Sequence, residues 1–136
     1  MLPTADNQSH AATMKYVLGI STKSMRNIIY NPDEWYAYTV NNKIIIESLC
    51  NDGDRMQSVL IDSKDELSCL TMSFDKKYLI SAIGHVDRER YAAILLYETK
   101  TFSLHKRLNF HSKGVQCIKV SNNGYYMISV GVKEEK

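Results

Sequence analysis

The feature of this sequence that most constrains its fold is an internal repeat. Residues 67–84 read LSCLTMSFDKKYLISAIG, and residues 115–132 read VQCIKVSNNGYYMISVGV, 48 positions further along. A gapless superposition of the two segments pairs identical residues at Cys69 and Cys117, Ser73 and Ser121, Tyr78 and Tyr126, Ile80 and Ile128, and Ser81 and Ser129. A weaker copy, IIYNPDEWYAYT at residues 28–39, fits the same frame 42 positions upstream. Three copies at this spacing predict a repeat architecture.

Turn-forming residues divide each unit into short segments that are rich in β-branched and aromatic residues. Such turn clusters recur about every 8 to 12 residues, which is too close for helices of ordinary length. Strands are therefore expected at residues 17–20, 27–31, 35–40, 44–46 and 56–61, then at 67–73, 78–83, 91–98 and 103–110, and finally at 115–121 and 125–130. Four short strands per unit, repeated at this spacing, are typical of a β-propeller blade.

The predicted fold is all-β, a partial β-propeller of about two and a half four-stranded antiparallel blades. The blades are expected at residues 16–61, 67–110 and 111–136, with the third truncated, so that residues 15–136 form one incomplete propeller. Residues 1–14 are polar and aperiodic, which predicts a flexible leader. A truncated blade leaves an apolar edge uncovered, so we expect the chain to need further blades, either in a longer polypeptide or from other chains.

Composition and charge narrow the classes of partner. The formal net charge of +2, from 17 basic and 15 acidic residues, does not favour nucleic acid or an anionic membrane surface. The first residues lack the basic and apolar regions of a signal peptide, and the apolar run at residues 91–97 is too short to cross a bilayer. These features predict a soluble, intracellular protein.

Motifs for catalysis, cofactors and metals were sought and none is expected. The sequence contains no glycine-rich phosphate loop, no Gly-x-Ser-x-Gly elbow and no His-x-x-x-His pair. Cys50, Cys69 and Cys117 lack the paired spacing of a zinc or redox site, so we expect reduced, buried thiols. An enzyme with an unrecognised site stays as the least favoured alternative.

The framework segments SFDKKYLIS and SNNGYYMIS resemble the SPDGKYLVS-type text of WD-repeat proteins. In that family a unit carries Gly-His before its first strand and Trp-Asp at the end of its third. Here Phe110-His111 stands where Gly-His is usual, and Tyr97-Glu98 and Glu47-Ser48 stand where Trp-Asp is usual. The resemblance implies a WD-type propeller that binds other proteins and does not catalyse a reaction.

A narrower resemblance lies in VLGISTKS at residues 17–24, followed by NIIYNPDEWYAYTVNNKIIIES at residues 27–48. These segments are similar to the opening of the mitogen-activated-protein-kinase-binding WD-repeat scaffolds. That likeness implies kinases and centrosomal or spindle components as partners. Cilia-associated WD-repeat proteins and the microtubule-associated double-propeller family open in comparable ways, and they imply a structural role at microtubules or cilia, with a corresponding location.

The resemblance also implies roles for three polar residues. The histidine before a WD blade buttresses that blade by hydrogen bonding to a Ser or Thr on its second strand, so His111 is expected to bond to Ser129. Ser81 occupies the frame of Ser129 in the preceding unit, where no histidine precedes the blade. Its hydrogen-bond network is therefore expected to be incomplete.

The charged segment HVDRER, which has no counterpart in the weaker first copy, is the candidate partner-contact loop. Loops on a rigid scaffold are where binding residues collect, and this loop supplies His85, Asp87, Arg88, Glu89 and Arg90. Its mixed charges argue against a phosphate site. Trp35 and the tyrosines near it are expected to pack between blades rather than to form a recognition patch.

Overall fold

The computed structural model describes residues 27–32, 34–48, 57–87 and 91–133, and for residues 57–60 it describes the backbone alone. These ranges form strands β1 Ile28–Asn31, β2 Trp35–Val40, β3 Lys43–Ser48, β4 Gln57–Asp62, β5 Leu67–Met72, β6 Tyr78–Ile83, β7 Ala92–Glu98, β8 Leu104–His111, β9 Val115–Val120 and β10 Met127–Gly131. Within them there is no helix that could span a membrane.

The strands form two four-stranded antiparallel sheets and one two-stranded sheet. The first sheet has the order β1-β2-β3-β4, the second β5-β6-β7-β8, and the third contains β9 and β10. Within each sheet, strands that are consecutive in sequence are hydrogen-bonded neighbours, as in a hairpin meander. The predicted all-β fold of four-stranded antiparallel units is confirmed, and most strand boundaries lie within one or two residues of those expected.

The second sheet lies between the other two. Strand β5 contacts β1 and β2 on one side and β9 on the other, and β9 also contacts β6 and β7. Because both faces are covered, residues 79–83 of β6 are buried without interruption, as are residues 92–95 of β7. A sheet with two covered faces needs apolar residues at successive positions, which explains the uninterrupted sequence AAILL.

The third sheet is covered on one face. Met127, Ser129 and Gly131 of β10 are half-buried, whereas Ile128 and Val130 between them are exposed. Since alternate side chains of a strand point to opposite faces, this pattern places Ile128 and Val130 on the face away from the second sheet. Ile128 is 67% exposed, so β10 presents apolar side chains on this open face, while Lys119 of β9 lies opposite Ile128 on the same face.

An aromatic pair joins the first sheet to the second. Trp35 is buried, and its ring meets that of Phe102 edge to face, with 5.6 Å between the ring centroids. Phe102 has a φ of 53°, which is unusual for an aromatic residue, and its backbone N–H donates to Glu98 O at 2.7 Å. The expectation that Trp35 packs between units agrees with this contact.

The turn between β2 and β3 also holds the chain that leads to the second sheet. Asn41 O accepts a hydrogen bond from Leu67 N at 2.8 Å, and Asn42 O accepts one from Ser63 N at 2.8 Å. Asn41 has a φ of 53°, a left-handed conformation that asparagine tolerates. The Asn41-Asn42 turn therefore connects the two units as well as the two strands.

Some predictions fall partly or wholly outside the described ranges. These include the strand at residues 17–20, the leader at residues 1–14 and Cys50. Among the other cysteines, Cys69 is buried and Cys117 is half-buried, and both are free thiols. The segment after β6 differs from a wholly solvated loop, because Val86 is buried between the exposed His85 and Asp87.

The repeat is reproduced atom for atom in the turns between β5 and β6 and between β9 and β10. In the first of these turns, Asp75 Oδ1 accepts hydrogen bonds from Ser73 Oγ at 2.7 Å and Lys77 N at 3.1 Å. Ser73 Oγ also accepts from Tyr78 N at 3.0 Å, and Ser73 O accepts from Lys76 N at 2.9 Å. Side-chain oxygens thus satisfy backbone donors that have no strand partner.

The second turn has the same four bonds, with asparagine in place of aspartate. Asn123 Oδ1 accepts from Ser121 Oγ at 2.5 Å and from Tyr125 N at 3.1 Å. Ser121 Oγ accepts from Tyr126 N at 3.0 Å, and Ser121 O accepts from Gly124 N at 2.9 Å. We call this pair of structures the twin turns, because each residue of one has its counterpart 48 positions away in the other.

The twin turns predict that Lys76→Gly stabilises the protein. Lys76 has a φ of 59°, and Gly124 takes the equivalent place with a φ of 74°. A left-handed residue with a Cβ costs about 1–2 kcal/mol, whereas glycine costs about 0.5–1 kcal/mol in chain entropy. We expect an increase of up to about 1 kcal/mol in the free energy of unfolding, measured by denaturant titration.

Two control substitutions accompany this measurement. Gly124→Ala should lower the free energy of unfolding by about 1 kcal/mol, because a Cβ there has room but the backbone angle is unfavourable. Lys77→Gly, at the neighbouring exposed position, should lower it as well, since Lys77 is not left-handed. A loss of stability in Lys76→Gly would contradict the proposed strain.

Candidate functional site

Exposed aromatic side chains lie on the twin turns. Phe74 is 64% exposed and Tyr125 is 83% exposed, although both stand in turns whose backbone is fixed by hydrogen bonds. The two turns are adjacent, since a Cβ placed on Gly124 would lie 3.5 Å from Phe74 Cβ. We call the side chains of residues 74–77 and 122–125 the turn rim.

A neighbouring turn supports the turn rim from within the second sheet. Thr99 N donates to Lys77 O at 2.9 Å, and Thr99 Oγ1 donates to Lys76 O at 2.8 Å. Lys77 Nζ lies 3.5 Å from Asp75 Oδ2, while both side chains remain largely exposed. The turn rim therefore combines two exposed aromatic residues with cationic and polar groups on a backbone that is bonded on several sides.

The electrostatics of Asp75 follow from the turn geometry. The hydrogen bond from Ser73 lowers the pKa of the Asp75 carboxyl below its ordinary value of 3.8, and the backbone bond from Lys77 adds to this effect. Both donors favour the charged carboxylate, because an ionised oxygen is the stronger acceptor. The carboxyl belongs to the turn and not to a catalytic pair.

The opposite end of the second sheet meets the third sheet through His111. His111 Nε2 lies 2.8 Å from Ser129 Oγ, within hydrogen-bond distance. The structure thus brings together the two residues that the WD resemblance pairs. The histidine ring also fills the space above Gly131, where an added Cβ would lie 2.5 Å from His111 Nδ1. Gly131 was not identified from sequence, although glycine inside a strand commonly marks such a close approach.

Backbone hydrogen bonds continue the same junction. Val86 N donates to Lys113 O at 2.9 Å, and Val132 N donates to Gly114 O at 2.9 Å. Val86 thus ties the segment after β6 to the turn that leads into β9. The neighbouring His85 and Asp87 are exposed at this junction, whereas Arg88, Glu89 and Arg90 of the candidate loop lie outside the described residues.

Ser81 occupies a different environment from its counterpart Ser129. Its side chain is fully buried, and among the described residues its Oγ makes no hydrogen bond of regular geometry, although the Tyr97 hydroxyl is close enough to interact with it. Ser63 stands in the frame of His111 in this unit, and Ser63 Oγ instead accepts a bond from Asp65 N at 3.4 Å. Burial raises the pKa of the Tyr97 hydroxyl, and nearby Ser81 and Arg107 oppose this shift without reversing it.

The positions that resemble Trp-Asp contain a different polar arrangement. Glu47 is buried and accepts hydrogen bonds from the hydroxyls of Tyr36 and Tyr38, the second at 3.2 Å. The two tyrosine rings stack with 6.2 Å between their centroids, and burial raises the pKa of Tyr38. In the second sheet, Glu98 instead pairs with His105 Nδ1 at 3.3 Å on the surface. The buried Glu47 thus has the hydrogen-bond partners that a buried carboxylate requires, whereas the pair of Glu98 with His105 is exposed to solvent.

Metal-binding geometry was examined over the described residues. No group of three or more His, Cys, Asp or Glu side chains in those ranges is arranged to hold a metal ion. The polar clusters that do occur, at Glu47 and at His111, each link two strands of the fold.

Comparison with known proteins gives one informative match. The chain is similar to WD repeat-containing protein 90 of Xenopus tropicalis, with 27% identity over 120 residues, or 88% of this chain. The match covers 6% of that protein, so the chain spans only a small part of its relative. No protein-family model matches the chain. Together with the four-stranded antiparallel sheets, the similarity supports a place among WD-repeat proteins.

Sequence reasoning identified the His111 junction but missed the turn rim. Phe74 and Trp35 both stand beside turn residues, and local sequence does not tell which ring faces a neighbouring sheet. The available signal was position: Phe74 and Tyr125 lie within the turn clusters SFDKK and SNNGY, where a side chain points away from the sheet.

Substitutions at the junction of the second and third sheets test how it is stabilised. Ser129→Ala should lower the free energy of unfolding by about 1 kcal/mol, because His111 loses its partner. Gly131→Ala should cost more, about 1–3 kcal/mol, since the new Cβ overlaps the histidine ring. In the His111→Ala background the cost of Gly131→Ala should become smaller, and a double-mutant cycle measures this coupling. Additive costs would show that the ring and Gly131 are independent.

The lowered pKa of Asp75 predicts a pH-dependent contribution to stability. A carboxyl whose pKa is lower in the folded state stabilises the fold above its unfolded pKa, and the contribution is lost as pH falls through the folded value. Asp75→Asn keeps the Oδ1 acceptor, as Asn123 shows, but removes the charge. Free energies of unfolding of the two proteins should therefore differ at about pH 6 and converge below about pH 4. A constant difference would contradict this assignment.

Proposed function

We propose that this chain is a non-catalytic protein-interaction module, part of a WD-type propeller that holds partners on the turn rim. The observation that carries the proposal is the exposure of Phe74 and Tyr125 on turns with fixed backbones. A few residues, among which Trp, Tyr and Arg are enriched, carry most of the binding energy at protein interfaces. Because the twin turns are ordered before binding, little conformational entropy is lost when a partner docks.

The open face of the third sheet supports the proposal that further blades complete this propeller. Ile128 and Val130 present apolar surface there, and β10 carries no charged residue that would discourage strand pairing along its edge. A further sheet of the same kind, in the same polypeptide or in another, would cover this face as the third sheet covers the second. Such stacking fits a scaffold that presents its turns in a ring.

Two classes of partner follow from the family resemblance. The first comprises kinases and centrosomal or spindle components assembled by a signalling scaffold, and the second comprises microtubule- or cilium-associated proteins. The corresponding locations are the cytoplasm with its centrosome and spindle, or the cilium. Sedimentation with polymerised microtubules supports the second class, whereas recovery of kinases without sedimentation supports the first.

The candidate loop at His85 and Asp87 offers a second contact surface at the other end of the sheets. Its support is the buried Val86, which fixes the segment through the bond from Val86 N to Lys113 O. A loop that is held at one residue and exposed at the next is suited to present side chains to a partner. The charged residues at positions 88–90 extend this proposal along the sequence.

Substitution of Phe74 and Tyr125 tests whether partner proteins bind at the turn rim or at the candidate loop. Phe74→Ser combined with Tyr125→Ser should reduce the recovery of bound proteins, quantified by mass spectrometry after affinity capture, by about tenfold or more. The matched control is Tyr91→Ser, which removes an aromatic residue that is 62% exposed at the opposite end of the second sheet. Unfolding midpoints of all variants should match that of the parent. Loss of binding in Tyr91→Ser alone would assign the site to the candidate loop.

A further inference from the structure

The tip of the turn between β9 and β10 contains the sequence Asn123-Gly124, the one Asn-Gly pair in the chain. Both residues are exposed. An asparagine side chain can be attacked by the backbone nitrogen of the next residue, and the attack is fastest before glycine because no Cβ obstructs the approach. The other asparagines in the described ranges precede bulkier residues, as Asn109 and Asn122 illustrate.

We propose that Asn123 is a site of spontaneous deamidation, at which the turn acquires an aspartate. In the first step the nitrogen of Gly124, after losing its proton to solvent, attacks Asn123 Cγ, and the Cγ–Nδ2 bond breaks with release of ammonia. A five-membered succinimide remains. In the second step water adds to Cγ and breaks the new Cγ–N bond, which restores the original backbone and leaves a carboxylate. The net reaction consumes one water and no oxidant or reductant.

The hydrogen bonds of the turn activate the Asn123 side chain toward attack, and they also restrain the attacking nitrogen of Gly124. Asn123 Oδ1 accepts from Ser121 Oγ at 2.5 Å and from Tyr125 N at 3.1 Å, and both donors draw electron density from Cγ. Gly124 N, however, donates to Ser121 O at 2.9 Å and must leave this bond before it can attack. Opening of the exposed turn therefore sets the rate, as local opening does for other reactions of backbone amides.

The twin turn shows that the product fits. Asp75 already occupies the equivalent place, and its Oδ1 accepts from Ser73 Oγ and Lys77 N with nearly the same distances. The contacts on Asn123 that hold the turn go to Oδ1, and a carboxylate keeps that oxygen. A charged acceptor strengthens both bonds, as the lowered pKa of Asp75 indicates. Hydrolysis at the other succinimide carbonyl gives isoaspartate, whose lengthened backbone cannot retain this bonding pattern.

Deamidation would change the charge of the turn rim. The new carboxylate would lie in the turn that adjoins Phe74, on a surface where Lys76 and Lys77 are also exposed. The affinity for a charged partner there would therefore change as the deamidated form accumulates. This consequence rests on the function proposed for the turn rim, whereas the chemistry at Asn123 does not.

Peptide mapping of the intact folded chain tests the chemistry directly. The protein is incubated in mildly alkaline buffer, and conversion at each asparagine is followed by mass spectrometry, with Asn122 and Asn109 as internal controls. Asn123 should convert at least about tenfold faster than either control, and the aspartate form should predominate in the fraction that remains folded. Equal rates at Asn123 and Asn122, or folded protein dominated by isoaspartate, would overturn the proposal.

Two variants separate the reaction from its structural consequence. Gly124→Ala should slow conversion at Asn123 strongly. The same comparison in a chemical denaturant measures how much of the slowing persists when the turn is unfolded. Asn123→Asp should unfold at a midpoint no lower than that of the parent, because it reproduces the bonding of Asp75. A lower midpoint would overturn the claim that the turn accepts the product. Reduced partner capture by Asn123→Asp reports on the turn rim alone, so the two proposals fail independently.

Discussion

Burial of both faces of the central strands is the constraint on which this structure depends. Residues 79–83 of β6 are buried in succession, on both faces of the sheet. A sheet without a neighbour would expose alternate residues of each strand on either face. The second sheet therefore requires a neighbour on each side, which the first and third sheets supply. Stability then arises from contacts between adjacent units, as in other repeat proteins, and not from a core inside any one unit. The alternating exposure of β10 shows the same rule where one neighbour is missing from the described residues.

The two junctions between sheets meet this requirement in different ways. The first uses the contact between Trp35 and Phe102 and backbone bonds from the Asn41 turn. The second uses the His111–Ser129 pair and the close approach of the ring to Gly131. The buried Ser81 stands in the frame of Ser129, but Ser63 takes the place of His111 in its unit, so Ser81 lacks a histidine partner. A repeated sequence can thus keep its spacing while its polar contacts diverge.

Much of the fold followed from sequence because the repeat and the turn residues are local signals. Clusters of turn-forming residues marked the hairpins, and the β-branched and aromatic segments between them marked the strands. The buried Val86 was not predictable in this way, because it depends on Lys113 in the next unit. The left-handed Phe102 and the carboxylate of Glu47 between two tyrosines carry no distinctive sequence signal. At the candidate site, the resemblance to WD repeats paired His111 with Ser129, whereas the exposure of Phe74 depends on the position of the neighbouring turn.

The turn rim is available for binding because its aromatic side chains take no part in the two junctions between sheets. The second junction lies at the end that holds His111, whereas the contact between Trp35 and Phe102 lies at the same end as the turn rim. The exposed rings of Phe74 and Tyr125 belong to neither junction. The backbone of each twin turn is held by the side chains of its serine and its Asp or Asn. The side chains of residues 74 and 125 make no hydrogen bond that holds the turn. A side chain that costs hydrophobic exposure and contributes nothing to stacking is best explained by contact with another molecule. For this reason Phe74 and Tyr125, rather than the buried Trp35, Tyr38 and Tyr97, carry the functional argument.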